Sequence, residues 1–245
     1  ISALGAITEG DNNTAVGSVA LPVNTTGGSN TALGSAALYS NTTGQYNTAN
    51  GAQSMWLNTT GDNNTALGRE ALYTTRTAHY NTAIGYTALR DANRTADTDG
   101  YNTALGYNAG NTGTNDITTG NKNTLLGAIT AASAATGTNQ SVIGYLASGQ
   151  ADNSVTLGNA DVTAVYMAQD AGATVHAAGI TLSSDAAVIN LGVHGDVTIT
   201  HDADDGIELK SAATADDNPV LLTLQSGEED IAADDVIGTL NFQAP

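Results

Sequence analysis

Three aromatic residues recur at one position of a sequence repeat, where they could bind a sugar. Tyr39, Trp56 and Tyr73 are each 17 residues apart. At the ~4.8 Å spacing of neighbouring β-strands, their rings would form a column on one side of the molecule. Aromatic faces can stack on apolar ring faces, so one hypothesis is a glycan-binding strip. The alternative, which we prefer, is that like residues stack for stability or form a contact between chains.

Motifs for other kinds of chemistry do not match this sequence. The chain has no Cys, no nucleophile elbow and no phosphate-binding loop. In the acidic turn 202–206, Gly206 stands at position five, whereas an EF-hand loop needs its glycine at position six. The sequence therefore predicts no catalytic residue, no cofactor and no metal site. A carboxylate pair for glycan hydrolysis, and a metal held by His194 or His201 on a symmetry axis, stay open as alternatives.

The aromatic residues belong to a repeat, Asn-Thr-Ala-x-Gly, that runs through the first part of the chain. Its copies begin at Asn13, Asn30, Asn47, Asn64, Asn81 and Asn102, and the glycines, including that of a variant copy, are Gly17, Gly34, Gly51, Gly68, Gly85, Gly106 and Gly127. With two degenerate copies, successive glycines are 17, 17, 17, 17, 21, 21, 17 and 14 residues apart. Glycine tolerates the positive φ of a tight corner, and stacked asparagine amides can hydrogen-bond between copies. We therefore expect a glycine corner and an asparagine ladder.

A period this short predicts a parallel β-roll or β-solenoid with one copy per coil. We expect two short strands per coil, one before the glycine and one at the following Ala-Leu pair, with the extra residues of the longer copies in turns. The predicted inward positions are Ala15, Val16, Ala32, Leu33, Ala66, Leu67, Ala83 and Ile84. Such a narrow coil buries little apolar area, so association of several chains is expected.

Charge is distributed unevenly and divides the chain into two predicted regions. The net charge is −18, of which −15 falls in residues 151–245. An acidic chain repels phosphate, which excludes nucleic acid as a partner. No apolar run is long enough for membrane insertion. We predict a repeat region at 1–158 and a second β-structured module at 159–245, and we interpret the sequence as a segment of a longer protein.

The second region loses the repeat and shows short runs of alternating apolar and polar residues. These runs predict strands at 162–167, 174–176, 179–182, 188–191, 196–200, 206–210, 220–224 and 236–242. Clusters of Asp and Gly between them predict turns. An interwoven trimeric β-module is the preferred arrangement, and a small β-sandwich is the alternative.

The repeat, with its trailing Ala-Leu, resembles the head repeats of YadA-like trimeric adhesins, and similar repeats occur in phage tail fibres. The resemblance covers residues 2–158, although the common period of that family is shorter than 17. It implies a left-handed parallel β-roll in each of three chains around a threefold axis. The segments 153–163 and 235–245 are similar to phage tail-fibre sequences.

These features together predict an all-β, fibrous homotrimer without enzymatic activity. The function expected from the resemblance is a structural and adhesive segment of a phage tail fibre, located on the virion tail or another extracellular surface. Its expected partners are two further copies, other virion tail proteins and a host-surface glycan or other receptor. A bacterial trimeric surface adhesin is the alternative, and a fibre-borne polysaccharide depolymerase is the third hypothesis.

Overall fold

The structure, a computed structural model, is all-β wherever it describes the chain, which it does at residues 3–5, 8–92, 99–165, 177–178, 188–191, 197–202 and 206–211. The chain divides into two compact units, Ile1–Met167 and Ala168–Pro245. None of the described segments forms a helix of the length and hydropathy that a bilayer crossing requires. The predicted all-β fold class is thus confirmed for the described residues.

The first unit is a β-solenoid in which every repeat contributes one three-residue strand. These strands are β1 (Thr14–Val16), β2 (Thr31–Leu33), β3 (Thr48–Asn50), β4 (Thr65–Leu67), β5 (Thr82–Ile84), β6 (Thr103–Leu105), β7 (Thr124–Leu126), β8 (Ser141–Ile143) and β9 (Val155–Leu157). They form one nine-stranded sheet, paired in parallel and in sequence order. Threonine pairs with threonine across the 21-residue steps as well, so the insertions leave the register unchanged. The predicted parallel solenoid is therefore confirmed.

Side-chain direction along these strands corrects the predicted core. Only the central residue of each strand points inward: Ala32 is fully buried, whereas Thr31 and Leu33 on either side are exposed. The inward prediction was therefore wrong for Val16, Leu33 and Leu67, which are exposed on the outside, and Ile84 is only partly buried. Successive side chains of a strand point to opposite faces, so two neighbours cannot both enter the core.

The second predicted strand, at the Ala-Leu pair, is a turn instead. Ala37 and Leu38 are both fully buried, which a strand does not permit for adjacent residues. Leu38 has φ +50° and Ala36 has φ +56°, so the chain passes repeatedly through the left-handed region. Backbone bonds between coils persist there, as from Leu38 N to Ser54 O (3.1 Å). The left-handed residues turn consecutive side chains inward and fill the narrow coil.

The core compensates where the repeat loses its leucine. In the coil of β6 the leucine position is Gly110, and the next strand places the larger Leu125 at a position that alanine usually fills. A Cβ on Gly110 would lie 2.7 Å from Leu89 Cδ2 and 2.9 Å from Leu125 Cδ1, so these two leucine side chains already occupy that space. Ile117, which follows the inserted residues, is also buried in the same core. The insertion therefore supplies apolar volume to the core.

The second unit contains a three-stranded antiparallel sheet. Its strands are β10 (Val188–Leu191), β11 (Val197–Asp202) and β12 (Gly206–Ser211), in the order β10-β11-β12. Three of the predicted strands are thereby confirmed. Of the predicted strand 162–167, residues 162–165 are described and form no strand, while the predictions at 174–176, 179–182, 220–224 and 236–242 lie outside the described residues.

Candidate functional site

The outer face of the nine-stranded sheet carries two parallel columns of side chains. The first residue of each strand is threonine in the seven strands β1–β7. The third residue forms an apolar column whose large exposed members are Val16, Leu33, Leu67, Leu105, Leu126, Ile143 and Leu157, each between 38% and 56% exposed. Asn50 interrupts the column at β3, and from Leu67 to Leu157 the column is apolar at every strand. Exposed apolar patches of this kind are typical of surfaces that bind another molecule.

The aromatic column exists, and its rings contact one another. The ring centroids of Tyr39 and Trp56 are 5.9 Å apart, and those of Trp56 and Tyr73 are 4.9 Å apart. The guanidinium carbon of Arg90, at the same position of the next coil, lies 5.1 Å from the centroid of Tyr73. Trp56 thus has a ring on either side along the column. This arrangement favours packing between coils, because a sugar stacks on an uncovered ring face.

We expect Trp56→Ala to destabilise the solenoid by about 1–3 kcal/mol, because it removes two ring contacts and their buried area. Chemical unfolding followed by circular dichroism measures this change. Tyr145→Ala is the control, since Tyr145 is 62% exposed. A variant that keeps its stability but no longer attaches to host cells would instead assign the column to glycan binding.

The asparagines that begin the repeats form a buried ladder. The backbone N–H of Asn47 donates to Asn30 Oδ1 (3.0 Å), and Asn64 repeats this contact with Asn47 (3.0 Å). The Nδ2 group of each donates to a carbonyl oxygen of the chain, as Asn47 does to Gly61 (2.7 Å). The same pattern continues through Asn81, Asn102 and Asn123. Each buried amide therefore has partners in its own coil and in a neighbouring one.

A second, shorter ladder is formed by the first residues of the Asn-Thr-Thr-Gly segments. Asn41 Nδ2 donates to Asn24 Oδ1 (2.8 Å), and Asn58 Nδ2 donates to Asn41 Oδ1 (2.7 Å). All three residues are fully buried, although each begins an Asn-Thr-Thr sequon. A glycan at any of them is incompatible with this fold. Their 17-residue spacing was the signal that could have revealed the ladder.

This second ladder ends at Asn58 because the next coil has a different pair of residues. Thr75 replaces the asparagine, and its hydroxyl donates to Ala92 O (2.8 Å), which leaves Asn58 Oδ1 buried without a partner. Glycine three residues after each ladder asparagine is required by space, since a Cβ on Gly61 would lie 2.5 Å from Asn58 Oδ1. At the corresponding position after Thr75 the chain has Ala78. A coil with asparagine at the ladder position therefore has glycine three residues later, whereas the coil with threonine at that position has alanine three residues later.

We expect Thr75→Asn alone to destabilise the protein and Thr75→Asn/Ala78→Gly to stabilise it relative to that single variant. The new amide gives Asn58 Oδ1 a donor, which is worth about 1 kcal/mol, but only when the Cβ of residue 78 is absent. A double-mutant cycle measured by urea unfolding should give a coupling of about 1–3 kcal/mol. Additive effects of the two substitutions would contradict this explanation.

Several charged groups of the solenoid contact one another. Glu70 contacts Arg69 Nη2 (2.6 Å) and Arg90 Nε (3.2 Å). A hydrogen bond to Asp99 raises the pKa of Tyr101, whereas the backbone N–H of Thr138 and the amide of Gln140 lower the pKa of Asp152. The part of the chain that the structure describes holds no cluster of three or more His, Cys, Asp or Glu side chains suited to a metal.

Two adjoining open depressions lie where the coils shorten toward β9. They share Leu146 and Ser148 and have volumes of about 320 and 450 Å³. Their other lining residues are Thr112, Thr114, Asn115, Ile129 and Ala131 in one, and Gln150, Thr156, Gly158, Asn159 and Ala160 in the other. These walls offer hydroxyl, amide and apolar groups to a ligand but no carboxylate pair of the kind that glycan hydrolysis uses.

Comparison of the chain with protein-family models, curated proteins and solved structures found no match. The exposed apolar column on the strands is uninterrupted from Leu67 to Leu157.

Proposed function

We propose that this chain is a segment of a homotrimeric phage tail fibre that stiffens the fibre and contributes to attachment at the host surface. The observation that carries the proposal is the exposed apolar column on an otherwise regular parallel sheet. In the single chain the large apolar members of this column are between 38% and 56% exposed. Burying it against identical columns of two further chains removes that unfavourable exposure, at about 25 cal/mol per Å² of apolar area.

The repeated ladders support a mechanical role. Hydrogen bonds run from coil to coil through the sheet and through two rows of buried amides. Every coil is thus linked to its neighbours by several directional bonds, which resist bending and local opening. A stiff segment of this kind holds receptor-binding parts of a fibre away from the particle. Three copies acting together give avidity even when each binds a host glycan weakly.

The first test is the mass of the purified chain in solution, measured by light scattering, with unboiled SDS electrophoresis on the same sample. Three chains of 24.6 kDa give about 74 kDa, and we expect that mass. A folded monomer would contradict the proposal. The solenoid would then close its core alone and leave its apolar face for a different partner.

A second test separates a virion fibre from a bacterial trimeric adhesin, which would share the same sheet face. Antibodies against the chain, used in immunogold electron microscopy of the source culture, should label tail appendages of virus particles. Labelling confined to the cell envelope would assign the chain to an adhesin instead.

A further inference from the structure

Two neighbouring coils carry tyrosine at both ends of their strands. Tyr80 and Tyr86 flank β5, and Tyr101 and Tyr107 flank β6. On one side the rings of Tyr80 and Tyr101 are stacked, with centroids 5.1 Å apart and planes 6° apart. On the other side Tyr86 and Tyr107 are stacked at 5.5 Å and 10°. All four side chains are between 40% and 52% exposed.

The solenoid does not need tyrosine at these positions. The residue before the ladder asparagine is Asn63 in the preceding coil and Lys122 in the following one, and all of these residues have a positive φ. Tyr80 has φ +58° and Tyr101 has φ +48°, where a bulky side chain is less stable than Asn or Gly. The left-handed backbone therefore does not select tyrosine at 80 and 101. Each ring stacks on its neighbour in the chain, and close to half of every side chain stays exposed for a further contact.

The coil next to these two has opposite charges at the two ends of its strand. Asp62 precedes β4 and Arg69 follows it. The Arg69 side chain is 57% exposed and also lies over Tyr86, with its guanidinium carbon 5.6 Å from the ring centroid. Asp62 also accepts from the backbone N–H of Gln45 (2.7 Å), and Arg69 also pairs with Glu70 (2.6 Å), so each keeps a partner within the chain. The coils of β4, β5 and β6 thus present Asp62 beside two tyrosines on one side and Arg69 beside two tyrosines on the other.

We infer that these two edges bind each other between copies of the chain, so that Tyr80 and Tyr101 of one copy pack against Tyr86 and Tyr107 of the next. The inference rests on the proposed trimer and names the residues that close it. Around a threefold axis each interface joins two different edges at the same height. Aromatic rings then meet aromatic rings, and Arg69 meets Asp62 of the neighbouring copy.

Ile84 and Leu105 are the third residues of β5 and β6, between the two tyrosine edges. In the proposed arrangement they face the threefold axis while the tyrosines meet at the corners.

Tyrosine photo-crosslinking tests the inference on the intact chain. Light, a ruthenium complex and persulfate take one electron and one proton from each of two adjacent phenols, which join through a carbon–carbon bond. On a denaturing gel, links between copies produce dimer and trimer bands, whereas links within a chain stay at monomer mass. We expect dimer and trimer bands from the unaltered protein and peptides that join Tyr101 to Tyr107.

Phenylalanine variants supply the controls, because phenylalanine keeps the ring but cannot form this bond. Tyr80→Phe/Tyr101→Phe should lose the dimer and trimer bands, and Tyr86→Phe/Tyr107→Phe should lose them as well. Tyr46→Phe/Tyr145→Phe should keep them. Circular dichroism confirms that each variant is folded.

Light scattering on the same samples separates this inference from the proposed function. A trimer whose crosslinking is unchanged in both tyrosine-pair variants overturns the inference while the trimer stands, and it leaves the rings as a solvent-facing surface for a glycan. A monomeric protein without dimer or trimer bands overturns both.

Discussion

Gly51→Ala is expected to prevent folding of the solenoid. Gly51 has φ +141°, a conformation that L side chains rarely adopt. A Cβ built there would lie 2.5 Å from both the carbonyl carbon and the oxygen of Gly68 in the next coil. Relief requires the coils to separate and breaks the pairing of β3 with β4. We expect a loss of about 4 kcal/mol or more, a large share of the stability of an ordinary domain.

Circular dichroism and urea unfolding measure the effect, and Gly113→Ala is its matched control. Gly113 also has a positive φ, +85°, but no atom lies within 4 Å of a Cβ built there. That variant carries only the conformational cost of about 1–2 kcal/mol. Equal losses in the two variants would show that conformation alone, and not contact between coils, makes glycine necessary at the corner.

Leu67→Glu/Leu105→Glu is expected to convert the proposed trimer into a folded monomer. Both side chains point away from the core and are 44% exposed, so the single chain can carry charge there. In the proposed trimer the same positions face the axis, where three copies of each glutamate would lie together without water. Unpaired buried charge costs several kcal/mol per ion, so association should fail while folding persists.

Light scattering should show the mass falling from about 74 kDa to 24.6 kDa with an unchanged β-sheet spectrum. Thr43→Glu/Thr60→Glu adds the same charge to exposed turn residues and should remain trimeric. A trimer that survives the leucine substitutions would place the interface elsewhere on the molecule. Loss of the β-sheet spectrum in the leucine variant, but not in the threonine variant, would mean that the sheet face contributes to folding itself.

The two predictions separate contacts within a chain from contacts between chains. The glycine corner and the asparagine ladders act along the coils, and each depends on the backbone of the neighbouring coil being close. The apolar column acts outward, and among the described residues its large members are between 38% and 56% exposed. A fibre segment of the proposed kind needs both sets of contacts, since stiffness comes from the first and avidity from the second.

The architecture could be predicted from the sequence because the repeat is periodic. Identical residues at a constant spacing stack in register, so the parallel solenoid and the positions of its corners follow from the spacing of Gly34, Gly51 and Gly68 alone. The strands β10, β11 and β12 followed from alternation of apolar and polar residues in the same way.

Side-chain direction was less well predicted. Leu33 was placed in the core because it is large and apolar, but the period of two in a strand turns it outward once Ala32 points inward. Alternation was visible in the sequence and could have corrected this. The turn that buries both Ala37 and Leu38 could not be predicted, because left-handed φ values at non-glycine residues have no reliable sequence signal.

The sequence by itself thus determined the repeat, the register and the residues that stack in each column. Only the tertiary structure decided which columns face the core, which face water and which amides find partners. The physical reason is that spacing specifies which residues are neighbours along the solenoid axis. The direction of each side chain around that axis depends on backbone dihedrals at corners such as Gly51 and Leu38, and these are set by packing against the adjacent coils.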